Sequence, residues 1–234
     1  PTDAADNDSV KPNILFIMTD QHRWDCIGAN GNRLIKTPNL DRLAAESANF
    51  THFFVQAPVC VPSRASFFTG RYPHSPFEVP QPFDAMYDDI EIPLPQQMTL
   101  EEIMRLPTPL RTLILRFRPE YDTDRERLQW IYRSYYGAIS HIDREVGLIL
   151  DTLETTGVAD NTIVVFSSDH GDQLLEHGLM GKNCFFESSV RVPFIIRFPG
   201  HIRPAQYEEL VESVDLLPTL FELAGLPEPY SNQG

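Results

Sequence analysis

The stretch "TIVVFSSD", Thr162–Asp169, decides the fold. Ile163, Val164, Val165 and Phe166 are apolar at consecutive positions, and the run ends abruptly in Ser-Ser-Asp. A strand with one wet face alternates apolar and polar residues, so an unbroken short run signals a strand covered on both faces. "NILFIMTD", Asn13–Asp20, has the same form, and "VPFIIRFPG", Val192–Gly200, is a third such segment. Helical patterns lie between and after them. "NLDRLAAESANF", Asn39–Phe50, follows the start signal Thr37-Pro38 and places Leu40, Leu43, Ala44 and Ser47 on one face. From Asp124 to Thr156, Leu128, Ile131, Tyr135, Ile139, Ile142, Val146, Ile149 and Leu153 fall near a 3.6-residue period, and Gly157 is a natural stop. "VDLLPTLFELAG", Val214–Gly225, is a further helix. Buried strands alternating with helices predict an α/β fold: a sandwich with a largely parallel central sheet flanked by helices.

The remaining segments are punctuated differently. Residues 1–11, "PTDAADNDSVK", are polar and acidic and read as a disordered arm. The span 73–119 holds nine of the twenty prolines, so it reads as irregular, with one short helix near Leu100–Leu106. "SRASFFTG", Ser63–Gly70, reads as a short helix entered at Pro62. The formal net charge of −14 argues against a nucleic-acid or anionic-membrane partner. No apolar run is long enough to span a bilayer. Cys26, Cys60 and Cys184 are odd in number and widely spaced, which gives no disulfide framework. No signal peptide is visible, so the expected compartment is periplasmic or extracellular if one has been removed and cytoplasmic otherwise.

Two of the strands end in an acidic residue and a second donor: Asp20-Gln21 and Asp169-His170. Open α/β sheets bind ligands outside the carboxyl ends of their strands. Two carboxylates, an amide oxygen and an imidazole there suit a divalent cation, Ca²⁺ first, with Mg²⁺ or Mn²⁺ as alternatives. The plainer alternative is that each Asp caps the turn that follows it. A second group surrounds Cys60 in "VCVPSRASFFTGRYPH", Val59–His74. Cys60 would sit at a helix N-terminus, where free N–H groups favour negative charge, and Arg64 one turn on can grip an anion with two parallel bonds. A lone cysteine is otherwise a small buried hydrophobe.

These blocks resemble the type I sulfatases of the alkaline-phosphatase-like superfamily. Cys60, Pro62, Ser63, Arg64, Thr69, Gly70 and Arg71 match the signature Cys-x-Pro-Ser-Arg with its Thr-Gly-Arg exit. "PNILFIMTDQHRWDCIG" resembles the first strand and metal turn, "SSDHGDQLLEHGLMGK" the second metal strand and a lysine loop, and the blocks occur in family order. The resemblance implies an alkaline-phosphatase-like sandwich that hydrolyses sulfate esters. It implies that Cys60 is converted to formylglycine by a separate maturing enzyme. One hydroxyl of the hydrated aldehyde then attacks sulfur, and the other expels sulfate. By the same resemblance Asp20, Gln21, Asp169 and His170 hold the cation and Arg64 steadies the nucleophile. Lys182 contacts a sulfate oxygen, and His141 serves the leaving-group oxygen. The substrate class is a small-molecule or carbohydrate sulfate ester; the oligomeric state stays open. The pairs Asp-Gln and Asp-His look most like a subgroup with phosphonate monoester hydrolases and choline-sulfatase-like enzymes, so phosphonate monoester or phosphodiester hydrolysis is the alternative. His22, His52, His74, His177 and His201 carry no assigned role, while Asp172 and Glu176 read either as support behind the metal strand or as a solvated helix face.

The chain departs from the family pattern in two places. A block resembling Gly-Lys-Trp-His-x-Gly, which would bring a second lysine and histidine, has no counterpart; Lys11 and Lys36 stand in other contexts. The join near His74–Pro76 therefore reads as an internal deletion in a catalytic domain spanning 12–234. The smaller C-terminal domain usual in the family is also not seen in this sequence. These departures leave open a third reading, a non-catalytic relative that keeps a cation and anion pocket.

Overall fold

A computed structural model describes residues 11–56, 79–95, 98–117, 124–182 and 184–227. Cys60, Arg64, the Ser63–Gly70 segment, the join at 74–76 and nearly all of the 1–11 arm lie outside the described residues.

The three strands read from the sequence are present. They are β1 (Asn13–Thr19), β3 (Thr162–Ser168) and β4 (Arg191–Arg197). Three more join them: β2 (Ala48–Phe54), β5 (Ala205–Tyr207) and β6 (Val211–Glu212). The sheet order is β1-β3-β4-β2-β5, with β6 also on β2. β1 is parallel to β3, and β2 is parallel to β5 and β6, while β4 runs antiparallel to both its neighbours. The sheet is thus largely parallel in strand direction, with β4 reversed. The connection from β3 to β4 explains the reversal. It contains only short helical turns, so the chain re-enters the sheet at the end it left, and a parallel return would need a crossover. Pro193, which has no N–H, sits opposite the register shift between Phe50 and Phe53 on β2 and ahead of the ladder to β3, which starts at Phe194.

β3 is buried along its whole length, as its unbroken apolar run requires. Its side chains alternate between two cores. Ile163 and Val165 pack with Val192, Phe194, Leu216 and Leu220 on one face. Val164 and Phe166 pack with Leu40, Leu43, Val146 and Leu150 on the other. The layers are therefore helix, sheet, helix.

Six α-helices are described. α1 (Pro38–Ala45) is shorter than the sequence pattern suggests. The segment from Ala48 onward leaves the helix for β2, because Phe50, Thr51 and Phe53 favour a pleated surface and gain partners there. α2 (Leu100–Arg105) is the expected short helix, opened by a capping box between Thr99 and Glu102. α3 (Thr108–Phe117) falls in the span expected to be irregular. Pro109 lies in its first turn, where a missing N–H costs nothing, so the proline starts a helix instead of breaking one. α4 (Arg125–Thr155) is capped by Asp124, whose carboxylate accepts from the Glu126 amide at 3.0 Å. Leu150, not Ile149, takes the core position after Val146; Ile149 is 41% exposed. The short α5 (Glu187–Val190) precedes β4, and α6 (Leu216–Leu223) covers the second sheet face.

Candidate functional site

β1 and β3 pair in parallel register through Thr19 and Ser168, so Asp20 and Asp169 leave the sheet side by side. The Asp169 amide donates to the Thr19 carbonyl at 3.1 Å, carrying the ladder one step past the strands. Two residues 149 positions apart are thereby set next to each other. Ser168 staples the exit: its hydroxyl reaches the carbonyls of Thr19 at 3.1 Å and His170 at 2.9 Å and accepts from the His22 amide at 3.0 Å.

Asp20, Asp169 and His170 each present one ligand atom, all within 4.8 Å of one another. His170 Nε2 lies 3.4 Å from Asp20 Oδ1 and 3.6 Å from Asp169 Oδ1. His170 and Asp169 are fully buried, while Asp20 keeps partial access to solvent. His170 Nδ1 is 2.8 Å from the Gly171 carbonyl, an acceptor, so Nδ1 carries the proton and Nε2 turns its lone pair toward the carboxylates. Burial holds His170 below its ordinary pKa, and the positive field of Lys182 adds to this against the carboxylates of Asp169 and Asp20. A neutral imidazole lone pair and two carboxylate oxygens converging in a buried place repel one another unless a cation sits among them. The donor set therefore fits a hard or borderline divalent ion.

Gln21 adopts a left-handed backbone, φ 61°, which β-carbon residues rarely take. Its amide donates to Asp169 Oδ1 at 3.3 Å. Its Nε2 donates to Asp172 Oδ2 at 2.7 Å, which leaves the side-chain oxygen as the group a cation can use. Tyr135, from the middle of α4, braces this turn: its hydroxyl donates to the Gln21 carbonyl and accepts from the Arg23 amide at 3.0 Å. Burial raises the Tyr135 hydroxyl well above its usual pKa, so it stays a donor. Arg23 is held in turn by Asp25 and Glu176, each at 2.7 Å.

Lys182 stands on the loop that returns from β3, close enough for its charge to act on His170 and Asp172. The helix position of His141 is as expected, but its described contacts are Glu145 Oε1 at 3.7 Å and the Phe83 ring at 5.3 Å. Neither of these joins it to the carboxylate cluster. Gly171 is needed for space, since a β-carbon there would stand 2.0 Å from the Ser188 carbonyl oxygen. Cys26 and Cys184 are buried free thiols, as expected of packing residues.

The family model described as Sulfatase matches residues 12–88 and 73–226. The chain belongs to the sulfatase family. Among its relatives is a choline-sulfatase of Rhizobium meliloti, 36% identical over 155 residues, which are 66% of this chain and 30% of that protein. The chain thus matches less than a third of that relative's length. An arylsulfatase of Clostridium perfringens is 23% identical over 380 residues, covering 96% of this chain and 77% of that protein. In fold, the chain resembles the crystal structure of the phosphonate monoester hydrolase of Agrobacterium radiobacter, with TM-score 0.82 and 22% identity over 93% of this chain and 74% of that one. The sheet with helices on both faces is the fold shared with that crystal structure.

Sequence reasoning names the ends of the strands but not their supports. It places Asp172 between support and surface; the residue is buried with both oxygens engaged. It reads Tyr135 only as part of an apolar helix face. The role of the Tyr135 hydroxyl has no local signal, because the carbonyl it meets is 114 positions away.

Proposed function

We propose that this protein hydrolyses sulfate esters of small molecules or carbohydrates at the carboxyl ends of β1 and β3. The observation that carries the reading is the convergence there of Asp20, Asp169 and His170, inside a chain of the sulfatase family. Asp20, Gln21, Asp169 and His170 would hold one divalent cation, Ca²⁺ first. Bound there, it would supply positive charge for the sulfate oxygens and acidify the attacking hydroxyl. Lys182 adds a second positive charge for the anion, which offsets the repulsive −14 net charge of the chain. Asp169 orients the turn through Gln21, and Asp172 fixes the Gln21 amide so that oxygen is the free end. Cys60, converted to formylglycine by a maturing enzyme, would supply the attacking hydroxyl. Arg64 would steady it, and His141 would pass a proton to the leaving alcohol. These three roles rest on the resemblance of "CVPSR" and of the α4 segment to family blocks.

Phosphonate monoester hydrolysis is the second reading. The fold likeness to a phosphonate monoester hydrolase favours it, and sulfur and phosphorus oxyanions share a tetrahedral shape. An internal deletion near 74–76 also belongs to the proposal. Its support is the arylsulfatase alignment, which runs over 380 residues against the 234 of this chain and so opens gaps within it.

The test is turnover of 4-nitrophenyl sulfate and of a phenyl phosphonate monoester, with Ca²⁺ present and conversion of Cys60 verified by peptide mass. Sulfate hydrolysis that disappears in Cys60→Ala is the expected result. A specificity constant favouring the phosphonate supports the second reading, and no turnover of either by the converted protein overturns both.

A further inference from the structure

Asp172 is the residue where the two halves of the site meet. Its Oδ2 accepts from Gln21 Nε2 at 2.7 Å, on the turn after β1. Its Oδ1 accepts from the amides of Leu174 at 2.8 Å and Gly181 at 3.1 Å. Gly181 immediately precedes Lys182. The Asp172 carbonyl accepts from Arg23 Nη1 at 3.2 Å, so its backbone is pinned as well. The side chain is 1% exposed, and all three groups that face its carboxylate oxygens are N–H donors. Only a group that accepts on both ends satisfies that arrangement. An amide must turn its NH₂ toward a donor whichever way it is flipped.

We infer that Asp172 is a positioning residue that locks the cation turn and the Lys182 loop into one unit, so that cation binding and anion binding are organised together. It touches neither the cation nor the substrate; it acts through Gln21 on one side and through Gly181–Lys182 on the other. The inference rests on the cation site of the proposed function. Supporting groups behind a metal ligand set its orientation, and their loss typically lowers metal affinity by roughly 10- to 100-fold.

The experiment is calorimetric titration of the full chain with Ca²⁺, repeated with Mg²⁺ and Mn²⁺, for the wild type, Asp172→Asn, Gln21→Glu and the double variant Asp172→Asn/Gln21→Glu. Circular dichroism and melting temperature check the fold of each. Asp172→Asn weakens cation binding by roughly 10- to 100-fold. The double variant regains most of the loss, because the NH₂ of the amide introduced at position 172 then donates to the carboxylate introduced at position 21. The oxygen of that amide still accepts from Leu174 and Gly181. A general packing role would not be rescued by a change at position 21. Unchanged affinity in Asp172→Asn, no recovery in a folded double variant, or a wild type that binds none of the three cations overturns the inference. If Asp172→Asn does not fold, amide hydrogen exchange on the wild type decides. Ca²⁺ must slow exchange at Gly181 and Lys182, and unaltered protection there overturns the coupling. These readouts separate the clamp from the activity. The affinity pattern without sulfate hydrolysis keeps the clamp and removes the sulfatase reading; sulfate hydrolysis with full cation affinity in Asp172→Asn does the reverse.

Discussion

The two ends of the sheet carry charge in opposite ways. At the amino ends of β1 and β3, Arg197 leaves the reversed strand β4 and meets Glu46 at 3.5 Å and Glu154 at 3.3 Å. Arg42 meets Asp151 at 2.9 Å nearby. Both arginines face acidic partners that keep access to water. At the carboxyl ends, Asp20, Asp169 and the lone pair of His170 face one another under burial. Groups that all offer lone pairs thus converge at this end, and that convergence marks the functional end. Charge density alone does not distinguish the two ends; the sign pattern and the burial do.

Removing charge should therefore have unequal effects. Lys182→Ala is expected to lower kcat/KM for an aryl sulfate by about 10²–10³-fold with little change in melting temperature, as loss of one preorganised charge does. A comparable loss of thermal stability instead would make Lys182 structural. Arg23→Met leaves Asp25 and Glu176 without their shared partner, but both keep access to water, so it should cost about 1–3 kcal/mol, read by urea denaturation. The pH dependence of stability in chelator tests the site end again. Burial lowers the His22 pKa from 6.5 to about 4. Between those values the unfolded chain binds more protons than the folded one. His22's contribution is thus fully present above about pH 6.5 and lost as pH falls toward 4, on the order of 3 kcal/mol in all. His22→Gln should flatten that slope; an unchanged slope would assign it to other groups. Gly171→Ala drives a β-carbon into the Ser188 carbonyl and should cost about 1–3 kcal/mol. Arg42→Ala, at the opposite end, should stay within about 0.5 kcal/mol of wild type. A larger loss there would erase the contrast between the ends.

Periodicity and strand ends are legible because they are local. The unbroken apolar runs of Asn13–Asp20 and Thr162–Asp169 announce double burial, and the residues that follow them announce the ligands. The α3 helix is hidden because prolines at 107 and 109 punctuate a turn and a helix start alike. β2 is hidden because "ESANF" continues a helical face by pattern and leaves it only when β4 offers a ladder.

By itself, then, the sequence determined the α/β class, the strands that carry donors at their carboxyl ends, and the chemical types of those donors. Only the tertiary structure decided that Thr19 pairs with Ser168, that β4 reverses, that Tyr135 braces Gln21 and that Asp172 joins two loops. The physical reason is range. A residue's burial period is set by its neighbours in the chain. Register and hydrogen-bond partners between segments more than a hundred residues apart exist only once the sheet has closed.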